Sequence, residues 1–473
     1  MNRSRNEGRN ESRRPRELLL ELVLQRGRMR TTLQEALRAA IQEGRLQTGT
    51  VLPASRQLAD DLGVSRGVVS DSYDQLISEG YLEVKPRSAP VVSAVVTTVA
   101  SAPEPPLPVW RFDFKAYTPE VGLFPRRAWA RAIDRALRST GNTAFDYGDH
   151  RGRVELRTAL SVYLARARGV RVDPSRIVIT QGFTQAIDTL CHVLVGAGRR
   201  TLAMETPSHP GFWTTVRQSG LELVGCPVDD DGLRVGDLAG LHAQAVVVAP
   251  AHQCPTGAVM SAARRSALVE WAMTNGALII EDDYDAEFRY DRTPIGAVQG
   301  LDPGRVAHVG SASKTLAPGV RLGWISAPAE LVSDLQERKY NADSGSPVVE
   351  QLALADILSS GEYDRQVVRA RHVYRRRRDL LVAELAARMP GVAIRGVAAG
   401  MQLLLPLADH TDDIAIAAAA AARGIRLEAL SPLHLIPTGE RGLLLGYGRL
   451  PEVKIADAVT ALVAILDEFG GLR

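Results

Sequence analysis

Residues 309–325 read V-G-S-A-S-K-T-L-A-P-G-V-R-L-G-W-I, and the rest of the chain is organised around this stretch. A short apolar run leads into Ser311 and Ser313, then Lys314, with Arg321 a little further on. Hydroxyls and a guanidinium around one amine suit a phosphate-bearing aldehyde, because the amine can form an imine while the others hold the phosphate. Burial and the neighbouring cation lower the lysine pKa, which keeps the neutral amine available.

On both sides of this stretch, apolar runs of strand length alternate with helical patterns. Residues 177–180, 202–204, 221–226, 245–249, 277–280, 306–309 and 322–325 read as buried strands, and 184–195 and 264–274 as helices between them. That alternation predicts an α/β body, a mostly parallel sheet covered on both faces. In such sheets ligands sit beyond the carboxyl ends of the strands, and several special residues fall there. Asp282 follows the run 277–280, where a carboxylate can pair with a protonated pyridine nitrogen, and Tyr284 is placed to hydrogen-bond a ring oxygen. Gly182, Phe183 and Thr184 open a helix after a strand, so their N–H groups and the positive helix end suit a phosphate. Each feature recurs by chance in large α/β proteins, and only their common order and spacing make them a site. Past residue 346 a long helix containing Arg375, Arg376, Arg377 and Arg378 leads to a smaller unit with a strand at 443–445 and a closing helix at 455–469. The arginine run fits a solvated helix face better than a nucleic-acid contact.

The first part of the chain has a different pattern. After an arginine-rich extension, 1–30, that reads as a disordered tail, Leu33, Ala36, Leu37, Ala40 and Ile41 fall on one helical face closed by Gly44. A second helix, with Ser55 as N-cap, buries Leu58, Ala59 and Leu62 and breaks at Gly63. Ser65 caps a third, which turns Val68, Val69, Tyr73, Leu76 and Ile77 inward and ends at Gly80. A strand at 81–84 and the basic turn Lys85-Pro86-Arg87 complete a winged helix-turn-helix over 31–92. The free first turn of the third helix can enter a major groove about 12 Å wide. It would offer Ser65, Arg66 and Ser70, with Arg56 available to the DNA backbone and Lys85 and Arg87 as DNA-binding residues of the wing turn. The same pattern also fits a small dimerisation or docking module. Residues 93–109, rich in Ala, Val, Thr, Ser and Pro, read as a linker of extended polyproline character, with a buried edge strand as the competing reading of its valines.

A chain of 473 residues exceeds what one core accommodates, so two or more compact units are expected. A formal net charge of +3 does not by itself imply a polyanionic partner. Cys191, Cys226 and Cys254 have neither disulfide-framework nor zinc spacing, so no metal site and a reducing cytoplasm are expected. No run is long and apolar enough for a bilayer, and the basic N-terminus lacks the apolar core of a signal peptide, so no membrane partner is expected.

Two parts of the chain resemble known families. The stretch L-P-A-S-R-Q-L-A-D-D-L-G-V-S-R-G-V-V-S-D-S-Y-D-Q-L-I-S-E-G-Y-L, at 52–82, resembles the GntR family of bacterial repressors, which implies double-stranded operator DNA as a partner. The wing departs from that family, with Arg87-Ser88-Ala89-Pro90 in place of a glycine-rich tip. From about residue 112 onward the chain resembles the fold type I aminotransferases, through Y-G-D-H-R-G-R-V-E-L-R at 147–157, P-A-H-Q-C-P-T-G at 250–257, E-D-D-Y-D-A-E-F at 281–288, S-A-S-K and R-L-G-W. Such a head on such a body, with these H-Q-x-P-T-G and E-D-D-Y-D-x-E-F forms, resembles the MocR family of bacterial regulators. The resemblance implies pyridoxal 5'-phosphate as cofactor, Lys314 as its Schiff-base lysine, Asp282 on the pyridine nitrogen and Tyr284 on the ring oxygen. It implies Ser311, Ser313 and Arg321 as phosphate ligands and His209 stacked on the ring. It also implies a homodimer, in which Tyr147 reaches the phosphate of the neighbouring subunit, and a body divided into a large part, 110–345, and a small one, 346–473.

Two departures bear on chemistry. Cys254 stands where aminotransferases place an asparagine, and Leu444 where they place the arginine that grips a substrate carboxylate. Arg441 and Arg449 have the opposite strand parity, so the bidentate clamp is expected to be missing. The expected function is therefore a cofactor-binding transcriptional regulator, not an enzyme, that senses a small-molecule effector: pyridoxal phosphate itself or an amine. The alternative is a working aminotransferase that carries a DNA-binding module.

Overall fold

The computed structural model describes residues 28–84, 88–93, 108–290, 295–392, 394–396 and 398–470. The N-terminal extension almost entirely, most of the expected linker, and Lys85 and Arg87 lie outside the described residues. The chain divides into two compact units, Met1–Pro108 and Val109–Arg473.

The first unit packs helices Met29–Gln42, Ser55–Leu62 and Arg66–Ser78 around Leu33, Leu37, Leu58, Val69, Tyr73 and Leu76. Fully burying each such leucine contributes about 1.5–3 kcal/mol. Gly63 and Gly80, at φ +64° and +80°, supply the left-handed residues that end or follow these helices. Leu82–Glu83 pairs antiparallel with Val91–Val92 to form the wing ladder. Four details differ from the sequence expectation. The first helix starts at Met29, before the tail boundary. The second is entered at Ala54, whose extended backbone after Pro53 makes it the N-cap, so Ser55 is already helical. Ser65 does occupy the N-cap of the third helix, but its side chain accepts no capping bond. Val68, Leu62 and Ile77 are only partly buried, at the rim of this core.

The body is built on an eight-stranded sheet. Across it run Ile177–Thr180, Gly323–Ser326, Val306–Ser311, Leu278–Asp283, Ala245–Val248, Thr201–Thr206, Glu222–Asp229 and Gly232–Leu233. The five strands from Val306–Ser311 to Glu222–Asp229 are mutually parallel, and Gly323–Ser326 runs antiparallel to both neighbours. Successive residues face opposite sides. Ile280, Val309 and Leu202 meet the helix Phe183–Gly196 on one face. Ile279, Val306 and Ala203 meet Leu268 and Trp271 of the helix Ala262–Asn275 on the other. Burial on both sides is why these strands read as unbroken apolar runs.

Beyond Ser346, the helix Glu362–Arg388 leads to a three-stranded antiparallel sheet of Gln402–Leu407, Arg441–Gly446 and Glu428–Ala429, covered by Ile455–Glu468. A short parallel pair, Phe112–Asp113 with Ile425–Arg426, ties the start of the body to this part. The arginine run is not uniformly solvated. Arg375 and Arg376 are exposed, whereas Arg377 is buried, donating to the Gly448 carbonyl and to Glu120 at 3.2 Å. Helical periodicity turns this guanidinium inward, where it ties the helix to the segments at Glu120 and Gly448, and Arg378 beside it is half-buried.

Candidate functional site

The parallel strands end on one edge of the sheet, and the turns there carry the functional side chains. Register places Asp282 beside Val309 and Ser311 beside Gly323, which brings the acid, the serines and the lysine turn into one row. A Cβ on Gly323 would lie 2.9 Å from Gly182 Cα and 3.0 Å from Thr180 Oγ1, so only glycine lets this strand touch the opposite turn. Gly182, at φ +90°, starts the helix Phe183–Gly196 without a side-chain cap, leaving the first N–H groups open. Arg321, at φ +53°, holds a left-handed conformation that costs a non-glycine residue about 1–3 kcal/mol. Its guanidinium lies against Gly182, where an added Cβ would sit 3.4 Å from Nη1.

These turns enclose a cavity of about 280 Å³. Phe183, Thr184, His209, Asp282, Tyr284, Ser311, Ser313, Lys314 and Arg321 all line it, joined by Tyr117, Phe212, Cys254 and Pro318. Tyr147 is placed elsewhere, exposed on a loop with Asp146 and Asp149; the contact expected of it is to a second copy of the chain. The Lys314 amine lies 2.5 Å from the Tyr117 carbonyl. Burial pushes its pKa down, and Asp285, the Cys254 thiol and Asp282 only partly restore it. That favours the neutral, nucleophilic amine.

Burial, then the neighbouring Asp283, pushes Asp282 well above the usual carboxylate range. Its Oδ1 is buried and has no hydrogen-bond partner among the described residues. A buried acceptor left unanswered is costly, and a protonated ring nitrogen would satisfy it. Thr184, Ser311, Ser313 and Arg321 beside an open helix end suit a phosphate. The residues present therefore fit a phosphorylated pyridine aldehyde.

The strand bearing Asp282 is braced from its other face. Burial alone would raise the Asp283 pKa, but Arg168 and His308 hold it well below the usual range. Arg168 donates to both its oxygens, at 2.7 and 3.1 Å, and His308 Nε2 lies 2.8 Å from Oδ2. Tyr284 is held by two residues to which the sequence assigned no role, His252 and Asp285. His252 Nδ1 lies 3.0 and 3.2 Å from the Asp285 oxygens and 3.0 Å from Tyr284 Oη. An ionised carboxylate only accepts, so Nδ1 carries the proton and cannot also accept from Tyr284. The Tyr284 proton is thereby left free to donate to a ligand oxygen. Gly400 makes room for this pair, since a Cβ there would meet His252 Cε1 at 2.2 Å.

Leu444 is fully buried, packed with Ala116, Leu404, Leu430 and Leu433. Arg441 lies opposite Leu407 and Arg449 lies 3.7 Å from Asp113, and neither lines the cavity. In the head, Arg56, Ser65 and Arg66 are exposed and Ser70 is half-buried. Among the described residues no group of acids, histidines or cysteines has a metal-binding arrangement, and no helix is long and apolar enough to cross a membrane.

Residues 114–442 match the family description "Aminotransferase class I and II", and residues 29–92 match "Bacterial regulatory proteins, gntR family". Fold and site thus define a helix-turn-helix head followed by a fold type I aminotransferase-type body. The chain is 31% identical over 458 residues to the probable rhizopine catabolism regulatory protein MocR of Rhizobium meliloti, covering 92% of this chain and 93% of that one. It is 31% identical over 448 residues to the pyridoxine biosynthesis transcriptional regulator PdxR of Corynebacterium glutamicum, covering 91% and 96%. Among solved structures, an archaeal alanine:glyoxylate aminotransferase superposes with a TM-score of 0.70 at 26% identity, covering 88% of this chain and 96% of that one. The chain belongs to the MocR family of GntR-headed transcriptional regulators.

Proposed function

We propose that this regulator binds pyridoxal 5'-phosphate at Lys314 and couples occupancy of that cavity by a small molecule to its affinity for operator DNA, as a homodimer. The carrying observation is the pairing of a cavity that gathers cofactor-type residues around Lys314 with a buried Leu444 where a carboxylate clamp would stand. When bound, the cofactor supplies an electrophilic carbonyl on an electron-withdrawing ring. The chain's own residues orient it: Asp282 answers the ring nitrogen, Tyr284 donates to the ring oxygen, His209 covers the ring, and Thr184, Ser311, Ser313 and Arg321 take the phosphate. Arg56, Ser65, Arg66 and Ser70, with Lys85 and Arg87, contact DNA. The effector is pyridoxal phosphate itself or an amine that reaches it. The names of the relatives support a ligand-responsive regulator without choosing between these, since one is named for pyridoxine biosynthesis and another for rhizopine catabolism.

A ligand moves an equilibrium only by its differential affinity for two states. Purified protein incubated with pyridoxal 5'-phosphate is expected to show an absorbance band and a salt-dependent shift of a promoter fragment from its own gene neighbourhood. Lys314→Ala is expected to remove the band and the ligand response together. No DNA shift in wild type, or an undiminished response in the variant, refutes the proposal. The intact set of Lys314, Asp282 and Tyr284 favours one second reading, a working aminotransferase. Multiple turnovers of an amino donor and a keto acid would establish it.

A further inference from the structure

Tyr117 has no counterpart among the motifs, yet it projects into the cavity beside the reactive amine. Its backbone is left-handed, φ +59°, and its N–H donates to Gln402 Oε1 at 2.9 Å, which fixes the residue in a conformation unusual for a bulky side chain. Its ring meets His209 edge to face, with centroids 5.2 Å apart. Its hydroxyl is buried against the Cys254 thiol, and no hydrogen bond of good geometry satisfies it among the described residues. A buried hydroxyl without a partner is costly, and here it borders a ligand cavity.

The surroundings indicate which partner it takes. Next to Tyr117 is the apolar cluster of Ala116, Leu404, Leu430, Leu433 and Leu444. An ionised carboxylate placed there would lose its water among apolar side chains, and Arg321, which lines the same cavity, is taken by the phosphate on the cofactor reading. Glu428 faces Leu444 across the strand ladder and adds negative charge on this side when ionised, although burial pushes its carboxyl up from its ordinary value. Lys115 lies close enough to act on Glu428, Lys314 and His209 alike, and it offsets part of that charge. The wall beside Tyr117 is therefore apolar apart from one neutral hydrogen-bonding group, which suits an uncharged hydroxyl better than a desolvated carboxylate.

We propose that Tyr117 is a specificity-determining residue of the Lys314 cavity, and that its phenol selects amines carrying a neutral hydroxyl over α-amino acids of the same skeleton. This rests on the reading of that cavity as the cofactor and effector site. The ligand hydroxyl takes the place of the missing partner, and the amine is directed toward Lys314.

The test uses full-length protein loaded with pyridoxal 5'-phosphate and three ligands of one shape: 2-amino-1-propanol, alanine and isopropylamine. Apparent affinities are read from the change in the absorbance band. The amino alcohol is expected to bind at least tenfold more tightly than alanine. Tyr117→Phe keeps the ring and is expected to weaken the amino alcohol about tenfold while leaving isopropylamine unchanged. Glu428→Gln is expected to strengthen alanine several-fold, a gain of binding that a misfolded variant could not produce. Alanine binding as tightly as the amino alcohol, or Tyr117→Phe binding it as wild type does, overturns the role of Tyr117 while the band leaves the site reading intact. Absence of any band in wild type overturns both.

Discussion

Glu205, on the strand Thr201–Thr206, is buried behind the cavity, with Oε2 accepting the Ala249 N–H at 3.1 Å. Burial pushes its pKa up from 4.5 to about 7, with Ala249 and Gln253 offsetting part of the effect. The folded state thus holds this proton more tightly than the unfolded chain. The associated stability is fully present below pH 4.5 and is lost as pH rises through 7. At about 1.4 kcal/mol per tenfold, ionising the side chain costs the fold about 3 kcal/mol at pH 8 but about 1 kcal/mol at pH 5. Glu205→Gln keeps an acceptor for Ala249 and cannot ionise. It is expected to exceed wild type in unfolding free energy by about 3 kcal/mol at pH 8 and by about 1 kcal/mol at pH 5. Urea titrations followed by tryptophan fluorescence isolate the relevant unit, because Trp110, Trp129, Trp213, Trp271 and Trp324 all belong to the body. An equal stability difference at the two pH values would refute the reasoning.

Two further outcomes follow from the site and the head. Asp285 raises the Lys314 pKa against the larger lowering by burial, so Asp285→Asn removes that support and the amine stays neutral to lower pH. The pH midpoint for borohydride trapping of pyridoxal phosphate on Lys314 is expected to move down, and an upward shift or none refutes the coupling. Arg66→Ala removes an exposed cation from the first turn of the third helix; loss of one phosphate contact should lower the salt slope of DNA binding by about 1. An unchanged slope with weaker binding would instead assign Arg66 to bases.

What the sequence made legible was local or periodic. Neighbouring residues such as Ile279 and Ile280 face opposite layers, so the body announced itself as unbroken apolar runs, and Asp282, Lys314 and Arg321 could be placed at strand ends by counting from those runs. Features set by backbone torsion or distant pairing were not legible. The Pro53-Ala54 backbone moved the second helix's cap off Ser55, and a carbonyl at Gly448 drew Arg377 inward from a run in which Arg375 and Arg376 are exposed and Arg378 is half-buried. Tyr117 carries no motif because its position depends on the pairing of Phe112–Asp113 with Ile425–Arg426 near the other end of the chain. His252 and Asp285 stood in the quoted motifs, but their hold on Tyr284 needs the shared Nδ1 geometry.

The separation of these parts bears on how such a scaffold serves regulation. The groups suited to the cofactor come from turns at the edge of the large sheet, whereas Leu444, the position proposed for a lost carboxylate clamp, belongs to the small sheet. Changing the second leaves the first untouched, so cofactor affinity and substrate turnover can diverge within one fold. An enzyme must spend ligand binding on a transition state, and the clamp's orientation of the substrate is part of that. Without the clamp, the energy of a bound amine is available to bias a conformational equilibrium instead, and an attached DNA-binding head gives that bias a readout. On this reading Lys314 marks where the signal is received, while Leu444 and Tyr117 determine which signal is accepted.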